Sequence, residues 1–164
     1  MKKQICIIAA LQEKDRGIGY NNDLVFKISD DLKRFKRLTL DQTIIMGRKT
    51  FESIGSRPLP RRTNIVVSRN PNFSPEGVIV CSSIEEALAM AETAPGEKIF
   101  IIGGAQIYQQ ALSFAHKLEL TFAQSDLPAD IFFLEFPEFP REIERQDLYD
   151  EKTSLHYSFV TLVR

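Results

Sequence analysis

Histidine and cysteine are scarce in this chain, two of each among 164 residues. His116 and His156 are the only imidazoles, and no cysteine or histidine pairs with another at ligand spacing, so no metal site is expected. The same poverty in histidine leaves little support for a Ser–His–Asp triad. Cys6 and Cys81 fall in apparent strands, where a thiol is more often inert packing than half of a disulfide. No apolar run approaches the ~20 residues that span a bilayer. An excess of charge of one sign is missing too: the net charge is −1, which argues against a general nucleic-acid or membrane-surface partner.

What remains is ordinary for a globular protein, with 43% hydrophobic and 26% charged residues. The length suits one domain, 1–164, with a core of real size. The N-terminal apolar stretch is short and runs at once into Gln12-Glu13-Lys14-Asp15-Arg16. It reads as a first buried strand of a cytoplasmic protein rather than a signal peptide.

Strands are expected at Gln4–Ala10, Thr43–Met46, Thr63–Ser68, Gly77–Cys81, Lys98–Ile102 and Lys117–Phe122, with a final pair near Ile143–Leu148 and His156–Val163. Runs such as Ile99-Phe100-Ile101-Ile102 suit strands covered on both faces. Helices are expected between them at Ser29–Leu40, Thr50–Ile54, Ile84–Glu92 and Ala105–Phe114. The alternation predicts an α/β fold with a mostly parallel sheet and an antiparallel C-terminal edge. Gln12–Lys27 reads as a long loop, a common form for a functional lid.

Two turns stand out. Thr43-Ile44-Ile45 runs into Met46-Gly47-Arg48-Lys49-Thr50, and Ile99–Ile102 runs into Gly103-Gly104-Ala105-Gln106-Ile107. Strand–glycine–helix turns bring unpaired backbone N–H groups to one point and bind anions. Two of them in a small chain suggest a dinucleotide. Neither is a P-loop or G-x-G-x-x-G. Arg48, Lys49 and Arg69 are candidates to meet an additional phosphate, which favours NADP over NAD. On the first helix Ser29 reads as the N-cap, and Asp30 has only a capping role. Asp31 shares a face with Phe35, placing an acid at the margin of the apolar stripe. It is either a second helix-start carboxylate or a partly buried acid that meets an amidine-like ligand edge.

In order and spacing, the chain resembles the dihydrofolate reductases. The resemblance rests on Ile8-Ala9-Ala10, Gly17-Ile18-Gly19, Asp31-Leu32 with Phe35-Lys36, Ile45 through Gly55, Arg57-Pro58-Leu59-Pro60, Arg62 with Asn64, and Ile102-Gly103-Gly104 with Ile107-Tyr108. It implies an eight-stranded sheet with four flanking helices, and reduction of 7,8-dihydrofolate to tetrahydrofolate by hydride from NADPH. It implies a catalytic group of Asp31, the hydroxyl of Thr121 beside it, and Tyr108. Ile8, Phe26, Leu32, Phe35, Ile54 and Leu59 would line the pterin and benzoyl cleft. Arg62 would hold the glutamate α-carboxylate, with Lys36 nearby. Ala10, Ile18 and Tyr108 would flank the nicotinamide. Gly47, Arg48, Lys49, Thr50, Ser68 and Arg69 would hold the adenosine and phosphate end. Gly103, Gly104, Ala105, Gln106 and Ile107 would form the second cofactor turn, with a cis bond between the two glycines. A monomer with no partner beyond its small molecules is expected.

The departures from the family pattern cluster around the loop. Val25-Phe26 stands where the family usually has Pro-Trp, and Ser29 where a proline is common. Phe26 keeps an aromatic wall without an indole N–H. Ser56 reads as a one-residue insertion. Ser82 takes a position that is basic in some members. A related pyrimidine reductase and a non-catalytic NADPH-binding protein are the alternatives.

Overall fold

The buried centre of the protein follows from its apolar runs. Ile44, Ile45 and Met46, and Ile99, Phe100 and Ile101, are at most 1% exposed, as strands covered on both faces must be. The computed structural model describes residues 2–164. In chain order its elements are β1 (Gln4–Gln12), β2 (Gly17–Tyr20), β3 (Asp23–Leu24), α1 (Ser29–Thr39), β4 (Thr43–Gly47), α2 (Arg48–Ser53), β5 (Thr63–Val67) and β6 (Ile79–Cys81). There follow α3 (Ile84–Thr93), β7 (Lys98–Gly103), α4 (Ala105–Ala111) with a 3-10 turn at Leu112–Phe114, β8 (Lys117–Ala123), β9 (Ile131–Phe132), β10 (Arg141–Asp150) and β11 (Leu155–Val163).

Eight strands form one sheet in the order β10-β11-β8-β1-β7-β4-β5-β6. Pairing is parallel from β8 across to β6. β11 joins β8 antiparallel, and β10 joins β11 antiparallel at the edge, as expected from the missing helix between them. The strand period of two divides the core. Ile5, Ile7, Ile45, Ile99 and Ile101 pack on one face with α3 and α4. Cys6, Ile8, Ile44, Met46 and Phe100 pack on the other with Phe35, Leu38, Phe51 and Ile54 of the α1–α2 layer. Both cysteines are buried and free, and burial pushes the Cys6 thiol up to about 11. No helix among the described residues is long and apolar enough to cross a membrane.

Local detail departs from the sequence reading in four places. Ser29 is the first helical residue and the N-cap is Ile28, which makes no side-chain cap. Ile28 is 1% exposed and extended (φ −112°, ψ 120°), so core packing rather than a hydroxyl sets where α1 begins. Asp30 does more than cap: its carboxylate accepts from the Tyr157 hydroxyl at 2.7 Å. α2 begins at Arg48, earlier than the expected Thr50, so both cations sit in its first turn. The segment expected to be a loop from Gln12 to Lys27 carries structure. β2 pairs with β3 and with β9 in a small antiparallel sheet, and Gln12 still belongs to β1. Those strands are too short to show a period in sequence.

Candidate active site

Parallel strands β1, β4 and β7 lie side by side and end at Gln12, Gly47 and Gly103. The carboxyl ends of strands are where open α/β sheets bind ligands. Two of the three groups of predicted residues stand around them, and the third runs along α1 to the amino end of β5, where Arg62 lies.

The first is the acid. α1 carries Asp31 against β8, where the Thr121 hydroxyl donates to its Oδ1 at 2.5 Å. Burial raises the Asp31 carboxyl above its ordinary range, outweighing the Thr121 hydrogen bond and the Arg34 cation that pull it down; neighbouring Asp30 adds to the rise. A desolvated carboxylate with one hydroxyl partner retains acceptor capacity for a ligand.

The second group is the pair of glycine turns. Gly47 and Gly104 are the N-cap residues of α2 and α4, and neither cap is closed by a side chain. The Gly103–Gly104 peptide is cis. Gly103 has φ +126°, and a Cβ there would stand 3.3 Å from the Tyr108 hydroxyl and 3.4 Å from Thr50 Oγ1. A Cβ on Gly47 would meet Ile107 at 3.1 Å and lie 3.9 Å from the Gly104 nitrogen. Sequence reasoning treated the turns as two sites; the structure makes them one cradle. Arg48 and Lys49 are exposed beside it, with Arg48 loosely paired to Glu52 at 3.8 Å. This donor set, two open helix starts with Arg48 and Lys49 in the first turn of α2 and no carboxylate in either first turn, fits a nucleotide's phosphates. Ala105 and Gln106 open α4. Ser68 and Arg69 follow β5, one strand further out; Ser68 Oγ accepts from the Asn70 N–H at 3.2 Å. Ser82 is engaged by Glu86, whose carboxylate accepts from its N–H and its hydroxyl.

Tyr108 is buried, and its hydroxyl donates to the Ile8 carbonyl at 2.7 Å. Burial drives its ionisation upward. The ring packs edge-on against Phe133 at 5.1 Å. Tyr108 thus ties α4 to β1 through its hydroxyl. Ala10 and Ile18 are half-buried on β1 and β2.

The third group is apolar with a cationic end. Ile8, Phe35, Ile54 and Leu59 belong to one cluster. Leu32 and Lys36 are exposed on α1, and Phe26 is buried with Ile28, Ala123, Tyr157 and Phe159. Arg62 stands at the C-terminal end of α1, donating to the Pro60 carbonyl at 2.9 Å and to Thr39 Oγ1 at 3.2 Å. Its neighbour Arg61 is clamped to Asp41 by two bonds of 3.2 and 2.7 Å. Of the two arginines, Arg62 alone meets only neutral acceptors, so its charge is available to a ligand carboxylate.

Four features escaped the sequence reading. Asn64 clamps the Arg62 turn, its amide bonding Leu59 N–H, Leu59 C=O and Arg62 C=O. Gln12 does the same for Leu127. Tyr157 reaches Asp30. Arg34 and Glu119 form a buried ion pair beside the acid. A signal existed for two of them: Asn64 stands in the Arg62–Asn64 motif, and for the ion pair Arg34 is one helical turn from Asp31 while Glu119 shares a strand face with Thr121.

An acid on the first turn of α1 and two open glycine turns at the carboxyl ends of neighbouring strands suit a site that takes a nucleotide beside an amidine-like ligand edge. The family model described as dihydrofolate reductase matches residues 4–164. Dihydrofolate reductase type 3 of Salmonella typhimurium is 43% identical over 162 residues, covering 98% of both chains. The dihydrofolate reductase of Bacillus subtilis is 41% identical over 150 residues, 90% of this chain and 88% of that one. The solved structure of Enterococcus faecalis dihydrofolate reductase complexed with NADP(H) and RAB-propyl superposes with a TM-score of 0.90 at 33% identity, covering 98% of this chain and 96% of that one. The chain belongs to the dihydrofolate reductase family.

Proposed function

We infer that the protein is an NADPH-dependent dihydrofolate reductase in which Asp31 drives protonation of the substrate. The observation that carries this reading is the desolvated Asp31 carboxylate, held by Thr121 on the first turn of α1. NADPH, when bound, supplies the hydride that C6 of the pterin receives. The ionised Asp31 bonds N3 and the 2-amino group of the pterin, an amidine-like edge that returns two hydrogen bonds to one carboxylate. In a half-buried site that negative charge favours positive charge on the ring, so a proton from water rests more easily on N5. Thr121 holds the carboxylate in line. Ile8, Phe26, Leu32, Phe35, Ile54 and Leu59 form the apolar walls, and Arg62 takes the α-carboxylate of the glutamate tail, with Lys36 close by on α1.

The cradle of Gly47, Gly103 and Gly104 admits the cofactor backbone, and a side chain would be crowded at Gly47 and strained at Gly103. Arg48, Lys49, Thr50, Ser68 and Arg69 meet its phosphates, while Ala105, Gln106 and Ile107 continue the turn. Ala10, Ile18 and Tyr108 exclude water from the nicotinamide. The hairpin β2–β3 covers this region. The chain acts as one domain and as a monomer in the cytoplasm, without nucleic acid, and light scattering of the purified protein tests its oligomeric state.

The deciding experiment follows NADPH oxidation with and without dihydrofolate for wild type and Asp31→Asn. Expected is oxidation that requires dihydrofolate and falls roughly 10²- to 10⁴-fold in the variant at neutral pH, the scale of lost proton-transfer catalysis. The deficit narrows at low pH, where substrate arrives protonated. Equal turnover of the two proteins at pH 7 would remove Asp31 from this role.

A further inference from the structure

Asp31 is not alone on its face of α1. One turn further on, Arg34 points the same way and pairs with Glu119 on β8, Nη2 to Oε2 at 2.6 Å, with only 10% and 11% of the side chains exposed. Glu119 also accepts from the Thr161 hydroxyl of β11 at 2.9 Å. The Arg34 guanidinium lies 4.6 Å above the Phe159 ring, and that ring packs edge-on against Tyr157 at 5.5 Å. Tyr157 donates to Asp30. Glu119 and Thr121 share one face of β8, opposite Thr161 and Phe159 of β11. The partner of the acid and the partner of Arg34 therefore sit on one rigid strand, at the spacing of one helical turn above them.

We propose that the Arg34–Glu119 pair is a positioning element for Asp31, locking the first turns of α1 onto β8 so that the carboxylate faces the pterin edge in one geometry. The proposal rests on the functional reading above and extends it to residues that touch neither substrate nor cofactor. Its reason is chemical. The hydroxyls of Thr121 and Tyr157 hold only the first turn of α1, through Asp31 and Asp30, and leave the next turn free to slide over β8. A second contact made of two opposed charges out of water resists sliding, because any displacement separates buried ions. The pair also bears on the acid electrostatically. The charged or titratable groups around Asp31 are Asp30 and Arg34 on α1, Tyr108 on α4 and Tyr157 on β11, and Glu119 on β8 stands against Arg34. Arg34 stabilises the ionised carboxylate, Asp30 opposes it, and Glu119 holds the Arg34 charge in check.

The test reads the acid directly. The side-chain carboxyl of Asp31 is titrated by carbon NMR in the ligand-free protein, assigned by its loss in Asp31→Asn, and hydride transfer is measured in a single turnover. Arg34→Met removes the cation and moves the Asp31 midpoint up. Glu119→Gln frees the cation and moves it down. Arg34→Lys keeps the midpoint near that of wild type. The double variant Arg34→Met/Glu119→Met leaves no unpaired buried charge and guards against misfolding of the single ones. In it, hydride transfer falls by about tenfold with NADPH affinity retained, below the ~10²-fold that a 1 Å misplacement brings. Unchanged midpoints in the single variants, with the wild-type hydride-transfer rate in the double one, would overturn the proposal and leave the pair merely structural. Midpoint shifts of the same sign in both single variants would overturn it too, since general loosening moves the carboxylate one way. Failure of the functional reading looks different: wild type would show no dihydrofolate-dependent oxidation, while the titration still reports on the pair.

Discussion

Arg62 shows how much one residue's role depends on what its neighbours already hold. Two arginines stand together after a proline turn, and chemistry alone does not separate them. Asp41 takes Arg61 through both of its oxygens. Arg62 is instead braced by a carbonyl and a hydroxyl, and partial burial lowers its affinity for the proton without neutralising it. Arg62→Leu is therefore expected to weaken dihydrofolate binding by about 1.5–3 kcal/mol, the range for a charge-assisted hydrogen bond. NADPH binding stays unchanged, and titration calorimetry with each ligand separates the two. Arg61→Leu, by contrast, breaks an exposed pair of small worth.

Among the elements, the hairpin β2–β3 depends on a side chain outside it. Gln12 is fully buried at the end of β1. Its amide donates to the Leu127 carbonyl at 2.9 Å and accepts from the Leu127 N–H at 3.0 Å. This fixes the stretch that leads to β9, the strand on which β2 pairs. Gln12→Ala removes both bonds to the exposed Leu127 and is expected to lower stability by about 1–3 kcal/mol, the net worth of two ordinary hydrogen bonds. The same variant should slow turnover through a looser cover, and denaturant unfolding with steady-state kinetics checks both. Gln12 looks like an ordinary polar residue at a strand end in the sequence, since nothing local announces a partner more than a hundred positions away. The turns at Gly47 and Gly103 were legible because glycine after an apolar run is a local signal. That they form one cradle was not, because strand order decides which ends are neighbours.

For the whole molecule, the acid that serves catalysis works against folding. The Asp31 carboxyl is raised above its ordinary value of 3.8, chiefly by burial. Between that value and the raised native one, the folded chain keeps a proton that the unfolded chain has released. Stability thus declines as pH rises through the window. Asp31→Asn removes the ionisable group, so the ligand-free variant is expected to melt higher than wild type at neutral pH. The advantage should vanish below the ordinary carboxylate range, and melting curves taken across pH test it. A variant that is less stable than wild type at pH 7 would mean that the Thr121 bond outweighs desolvation.

The sequence by itself determined the α/β class, the buried central strands, the antiparallel close at the C-terminus and the two glycine turns. It also determined the family, through motifs whose order and spacing survive along the chain. Each of these rests on short-range pattern: a run, a period, a turn residue. Tertiary structure decided that Ile28 rather than Ser29 begins α1, that Asp30 serves Tyr157, that Arg62 rather than Arg61 is free, and that a buried ion pair stands beside the acid. Those outcomes depend on which side chains meet across the sheet. Burial and pairing of charge are properties of that meeting, and no residue carries them alone.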